Sequence, residues 1–361
     1  MSTVTVSQEQ ANVAVVPQEH EVNLQEQKDA EQLSEASTVG EEEQPDASKI
    51  SADGEYLAGE SKYLKLDDIT LHYVEYMGTN YDEDLKKPVL LCLHGVTSQA
   101  HAFDPIGQNP KVLETFRVVA LDLRGHGSSD WSESYLTSDF VRDIDALVTH
   151  LDVSSVYILG MSFGGIFGME YAGLYPDKVE ALVLGDAAPW SGRDALQAQF
   201  KNRPNPRFFN SLDAAVEFKK DAFSMPMNQY GARQELNLRL KQSTNEAGKD
   251  ILVWRADMKV MKTFPILAKE QDARWKNFAK ISCDILILRA DQDGQPPFIT
   301  EFIQKKAKFY NDKTTIVTVP NTGHSMWADN LDGVLLEALP FLEERAQSIV
   351  DRCLQFCKNA F

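Results

Sequence analysis

Short apolar strands that alternate with helical segments from residue 62 onward predict an α/β fold, a mostly parallel central sheet flanked by helices. Three observations carry this reading. The stretches "PVLLCLHG" (88–95), "SVYIL" (155–159) and "VEALVLGDAAP" (179–189) hold continuously apolar runs, as strands covered on both faces of a parallel sheet must be. Between such runs, "DFVRDIDALVTHLD" places Phe140, Ile144, Leu147 and Val148 on one helical face. The same rhythm then returns near the C terminus in "CDILILRADQDG" (283–294) and "TTIVTVPNTGH" (314–324).

Residues 1–58 stand apart. Residues 1–60 hold 14 acidic and 2 basic side chains, so −12 of the chain's net −18 lies there. With a single aromatic, Tyr56, this stretch cannot bury enough apolar surface to offset its ordering entropy, and it is expected to be a disordered acidic tail. The folded domain then runs over 59–361. "YLKLDDITLHYVEY" reads as two strands around the turn residues Asp67 and Asp68. "AFDPIGQNPKVLETF" suits a broken helix, and "FRVVALDLRGHGSSD" (116–130) a buried strand that ends in a Gly-rich turn. From Trp190 to Lys280 the signals are mainly helical, as in "LDAAVEFKKDAF" and "ARQELNLRLKQ", which predicts a helical lid over about 190–280 inserted between two sheet strands. A last helix, broken or kinked near Pro340, closes the chain.

Bulk chemistry excludes some partners. A net charge of −18 argues against nucleic acid and anionic membrane surfaces. There is no 18-residue apolar run, no basic-then-apolar leader and no Arg-rich transit segment, so a cytoplasmic protein with no membrane span is expected. Cys92 and Cys283 fall in or beside strand patterns and read as buried small hydrophobes. Cys353 and Cys357, four apart on a helix, suit neither a disulfide nor, without a histidine pair, a metal site. No cofactor and no metal are expected, and the partner is a small-molecule substrate.

The chemistry starts at "GMSFG" (160–164), which lies between the strand "SVYIL" and a helical pattern with Phe163, Ile166, Phe167, Tyr171 and Ala172. A turn this tight needs small flanking residues, and its apical serine sits in strained backbone with an exposed hydroxyl. In an open parallel sheet, ligands bind beyond the carboxyl ends of the strands. The polar residues that end these runs therefore converge: His94, Asp122, Ser162, Asp186, Asp291 or Asp293, and His324. A serine needs a base to take its proton, and an imidazole needs a carboxylate to set its tautomer and stabilise its charged form. The chain order serine, acid, histidine suits Ser162, Asp293 and His324, with Asp291 and Asp186 as alternative acids. His94 reads as a brace for the loop that follows it, Asp122, Arg124 and His126 as parts of a structural turn. His101 suits a place on the pocket or on a surface loop.

From about 62 to 361 the chain resembles the lid-bearing α/β-hydrolases of the serine esterase type. The matching segments are "LCLHG", "ALDLRGHGSSD", "GMSFGG", "RADQDGQPP" and "NTGHSMW", in that order. The resemblance implies an oxyanion hole made by the backbone N–H groups of Val96 and Phe163. It also implies an acid at Asp293, because Ala290 aligns with the glycine of the family's Gly-x-x-Asp and Pro297 with a frequent proline. The implied activity is hydrolysis of an ester of a small to medium apolar substrate through an acyl-enzyme. Thioesterase, lactonase and carbon–carbon bond hydrolysis use the same triad, although "VTSQ" (96–99) lacks the Gly-rich stretch usual in the last group. A non-catalytic ligand-binding member of the fold is the competing class. Lid residues such as Trp190, Phe208, Phe209, Phe218, Phe223, Met225, Met227, Trp254, Met258 and Met261 are expected to form the lid's core, a minority of them touching substrate.

Overall fold

A computed structural model describes residues 59–78, 80–189, 206–219, 229–291 and 299–359. The expected acidic tail lies outside the described residues. Β-branched and aliphatic runs form an eight-stranded sheet from β1 (Glu60–Lys65), β2 (Thr70–Tyr76), β3 (Val89–Leu93), β4 (Arg117–Leu121), β5 (Val156–Met161), β6 (Val179–Gly185), β10 (Asp284–Ala290) and β11 (Thr314–Val319), in the order β1-β2-β4-β3-β5-β6-β10-β11. The hairpin strands β1 and β2 are antiparallel to each other, β2 is antiparallel to β4, and every later pair is parallel. Strands β3, β4 and β5 are buried at every residue, which matches their apolar sequence, broken only by Arg117 at the start of β4.

Helices cover both faces. On one side lie α1 (Thr137–His150) and α2 (Ser162–Leu174), where Phe140 stacks on Phe167 with ring centroids 4.1 Å apart and Phe163 meets both rings edge-on. Aromatic pairs of this kind add about 0.5–1.5 kcal/mol each beyond area burial. Phe163 thus anchors the residue that follows Ser162 in the core. On the other face packs α8 (Met326–Asn359), with Val334, Ala338 and Leu342 in the core cluster of Val118, Tyr157 and Leu288. A break lies at Asn330 (φ −151°, ψ 76°), ahead of Pro340, which sits inside the helix. There the Asn330 side chain accepts from Gly333 N at 2.9 Å and donates to Pro320 O at 2.9 Å, so it caps the renewed helix.

Between β6 and β10 the structure departs from the mainly helical expectation. Helices α3 (Leu212–Lys219) and α4 (Gln229–Arg239) accompany a three-stranded antiparallel sheet of β7 (Phe208–Phe209), β9 (Asp250–Trp254) and β8 (Leu240–Thr244). The helical pattern of "ARQELNLRLKQ" therefore stops at Arg239, where pairing of Leu240 with Trp254 overrides the local propensity. Phe209, Ala215, Val216, Leu236, Leu240 and Trp254 form a separate small core. The end of the segment, α5 (Thr263–Lys269) and α6 (Gln271–Phe278), belongs instead to the main domain. Leu267, Trp275 and Phe278 sit in the same cluster as Phe163 and Phe167. Helix α7 (Glu301–Tyr310) then joins β10 to β11, with Thr300 Oγ1 capping Ile303 N at 3.3 Å. Among the described residues no helix is long and apolar enough to cross a membrane.

Candidate active site

The sheet register brings the polar strand ends together. Leu93 pairs with Leu121 and Gly160, and Met161 with Gly185, so His94, Asp122, Ser162 and Asp186 follow in neighbouring strands at one level. Ser162 opens α2 with φ +48°, a left-handed conformation that a non-glycine residue adopts only when its surroundings impose it. The small neighbours are demanded by contact. A Cβ on Gly164 would lie 2.2 Å from Leu93 O, and one on Gly160 would lie 2.6 Å from Gly165 Cα. The tight elbow thus presses the start of the helix onto β3 and leaves only the serine hydroxyl facing outward.

His324 Nε2 lies 2.8 Å from Ser162 Oγ, and His324 Nδ1 lies 2.6 Å from Asp186 Oδ2. A carboxylate can only accept, so Nδ1 carries the proton and the Nε2 lone pair is left to accept the serine hydroxyl. His324 is 4% exposed and Asp186 wholly buried. Asp186, which follows β6 directly, also has φ +43°; its N–H donates to Leu288 O at 2.8 Å, and its Oδ1 takes a weak bond from Ala290 N at 3.5 Å.

The preferred acid, Asp293, and the alternative Asp186 fall differently with respect to what the structure describes. The carboxylate on the imidazole is that of Asp186, the alternative, and Asp293 lies outside the described residues. Asp291 serves the histidine differently, since Oδ2 accepts from Asn321 N at 3.0 Å and Oδ1 from Thr322 N at 2.9 Å. These bonds hold the loop before His324, including Asn321 at φ +57°. Parallel pairing of β6 with β10, and of β10 with β11, brings the end of β6 that carries Asp186 to the sheet edge from which the loop to His324 leaves.

The supporting polar residues behave as braces. His94 Nδ1 donates to Gly95 O at 2.8 Å and Nε2 accepts from Leu123 N at 3.1 Å, so the loop after β3 is tied to the loop after β4. Burial pushes the His94 pKa down and keeps this tautomer neutral. Asp122 takes Ala100 N at 2.6 Å, Ser128 N at 2.9 Å and His72 Nδ1 at 2.7 Å. Burial alone would raise its pKa, but these donors hold it below the ordinary carboxylate range. Arg124 grips Asp143 through two 2.7 Å bonds, and buried His126 donates from Nδ1 to Arg124 O at 3.0 Å.

A cleft of about 510 Å³ opens above Ser162 and His324. Val96, Met161, Leu238, Trp327 and Leu331 supply apolar wall, and Gln234, Glu235, Asn237 and Arg239 from α4 supply a polar one. His101 faces this cleft, with Nδ1 at 3.0 Å from Asp104 Oδ1, a contact that raises its pKa. Phe209 and Trp254 are buried in the small core instead, and Phe208 is exposed, while Trp190, Phe223, Met225 and Met227 lie outside the described residues. The polar wall of α4 was not foreseen. Its trace in the sequence is the Glu235–Arg239 spacing of four, which by itself marks no more than a helical ion pair.

The comparisons with known proteins agree with this architecture. A 3-hydroxybutyrate-oligomer hydrolase of Cupriavidus necator is 26% identical over 251 residues, which cover 66% of this chain and 82% of that protein. The crystal structure of an E-2-(acetamidomethylene)succinate hydrolase superposes with a TM-score of 0.65 at 22% identity, over 79% of this chain and 99% of that one. The thioesterase domain of the curacin biosynthetic pathway superposes with a TM-score of 0.59 at 20% identity, over 78% of this chain and 99% of that one. The sequence profile of the alpha/beta hydrolase fold matches residues 88–326, from the start of β3 through His324, and the chain belongs to that family.

Proposed function

We propose that the protein is a serine hydrolase that cleaves an ester of a small to medium substrate through Ser162, His324 and Asp186. The observation that carries this is the continuous hydrogen-bonded line from Ser162 Oγ through His324 to the buried Asp186 carboxylate, open to a cleft at its serine end. His324 Nε2 takes the hydroxyl proton as Oγ attacks the carbonyl carbon, and Asp186 stabilises the imidazolium that forms. The oxyanion is received by the N–H groups of Val96 and Phe163. Phe163 stands in the first turn of α2, where helical N–H groups lack intrahelical partners and the helix dipole favours negative charge. Donors of this kind contribute about 3–4 kcal/mol each to the transition state. His324 returns the proton to the leaving alcohol, and water then releases the acid from the acyl-enzyme by the same steps.

A cleft of about 510 Å³ suits a substrate of modest size. The part of the segment between β6 and β10 that carries the separate small core acts as the lid, with α4 as its wall on the cleft. A fluorophosphonate probe and a panel of short p-nitrophenyl esters test the reading. Labelling and turnover are expected in the wild type and absent in Ser162→Ala; equal labelling of the two proteins would end it.

A further inference from the structure

We propose that Arg239, held by Glu235, is a positioning residue that locks the loop bearing Val96 to the loop bearing His324, so that α4 assembles the site from its far wall. The proposal rests on the serine hydrolase reading. Arg239 Nη1 donates to Thr97 Oγ1 at 2.8 Å and to Val96 O at 3.3 Å. Gln99 Nε2, on the same loop, donates to Leu238 O at 2.6 Å and so satisfies a terminal carbonyl of α4. On the other side Arg239 Nη2 pairs with Glu235, whose second oxygen accepts from Ser325 Oγ at 2.9 Å. Ser325 directly follows His324. One short chain of contacts therefore runs from Val96 and Thr97 through Arg239 and Glu235 to the residue beside the base.

The loop needs such a clamp. Thr97 holds φ +62°, a conformation that costs a β-branched residue on the order of 1–3 kcal/mol and persists only when its surroundings over-determine it. The guanidinium is suited to the task. It is planar, it presents several donors at once, and with Arg239 only 7% exposed it stays aligned. Burial lowers the Arg239 pKa to about 10, which leaves the group charged at neutral pH. Alignment matters because the N–H of Val96 must point at the position of the oxyanion, and a misplacement of about 1 Å can cost about 100-fold in rate.

Three variants test this in the full chain: Arg239→Gln, Arg239→Lys and Thr97→Val. Lysine keeps a charge opposite Glu235 but lacks the planar fork, and valine removes one acceptor while the ion pair stays intact. The first readout is hydrogen exchange at 96–99 and 324–326, which needs no activity. The second is the ratio of kcat/KM for an ester to that for its thionoester, in which sulfur accepts hydrogen bonds poorly and gains less from a well-aligned oxyanion hole. In Arg239→Gln both segments are expected to exchange faster. Ester kcat is expected to fall about 10- to 100-fold with little change in KM, and the ester-to-thionoester ratio to shrink. Arg239→Lys should retain wild-type thermal stability and still lose part of kcat, and Thr97→Val should loosen 96–99 alone. Unchanged exchange and ratio in a folded, Ser162-dependent Arg239→Gln enzyme would overturn the proposal, as would full recovery of both in Arg239→Lys. If wild-type turnover does not depend on Ser162, the functional reading itself falls, and the proposal with it.

Discussion

Among the described residues two serine–histidine–aspartate lines can be compared, and the cleft above α2 is lined by the first and not by the second. The first joins Ser162, His324 and Asp186 at 2.8 and 2.6 Å. The second joins Ser61 on β1, His72 on β2 and Asp122 at 3.0 and 2.7 Å. As hydrogen-bond patterns they are nearly equal, so the pattern cannot be what makes a nucleophile. The difference lies in the backbone around each serine. Ser162 stands at φ +48° at the N-terminus of a 13-residue helix, on the wall of the cleft. Ser61 lies on an exposed strand, in regular antiparallel register with Val74, away from the cleft lining. The two carboxylates differ as well. Asp186 is given over to His324 apart from a weak 3.5 Å bond, whereas Asp122 also holds the backbone at Ala100 and Ser128. The second line is architecture: it ties the hairpin to the turns that follow β3 and β4.

The widest separation between the two lines is expected at the serines. Ser162→Ala should lower ester turnover by about 10⁶-fold, the scale seen when a serine nucleophile is removed, while Ser61→Ala should leave it unchanged. Fluorophosphonate adducts mapped by mass spectrometry check this, and an adduct on Ser61 in the Ser162→Ala protein would erase the distinction. Next comes the acid. Asp186→Asn should cost about 10⁴-fold in kcat, because asparagine favours the wrong imidazole tautomer. Asp291→Asn, which weakens two backbone contacts of the histidine loop, should cost about 10- to 100-fold. Asp293→Asn should keep near-wild-type turnover. Steady-state kinetics on the three proteins side by side would return the role to Asp293 if the first and last results were exchanged.

The second line should answer in stability rather than rate. Asp122→Asn weakens charge-assisted bonds to His72, Ala100 and Ser128, and a loss of about 2–3 kcal/mol in urea denaturation is expected. Its folded form should keep far more kcat than Asp186→Asn does.

The smallest effect concerns pH. Burial lowers His126 to about 3, well below the 6.5 of an exposed imidazole. Between those values the unfolded chain binds a proton that the folded chain refuses. Stability is therefore fully present above about pH 6.5 and falls as the pH drops, by up to about 1.4 kcal/mol per unit for this group. His94, lowered for the same reason, acts with the same sign. Urea midpoints between pH 7 and 5 should fall steadily in the wild type and less steeply in His126→Asn, after allowance for that variant's own loss at pH 7.

The strands, the elbow and the gathering of Ser162 and His324 at one edge of the sheet were legible in the sequence for local reasons. Buried parallel strands must be continuously apolar, a tight turn must be flanked by glycines, and polar residues that end such strands must gather at one edge of the sheet. These constraints act over fewer than ten residues and leave their mark in composition and spacing. The meeting of Asp186 with His324 had no such mark, because Asp186 and Asp291 each follow an apolar strand and only the relative placement of β6, β10 and β11 brings the carboxylate of Asp186 to Nδ1 of His324. The same holds for Arg239. Its sequence neighbours predict a helix, yet its partners Val96 and Thr97 lie more than 140 positions away and reach it only through the folded chain. Contacts of that range depend on how whole elements pack, and tertiary structure alone decided them.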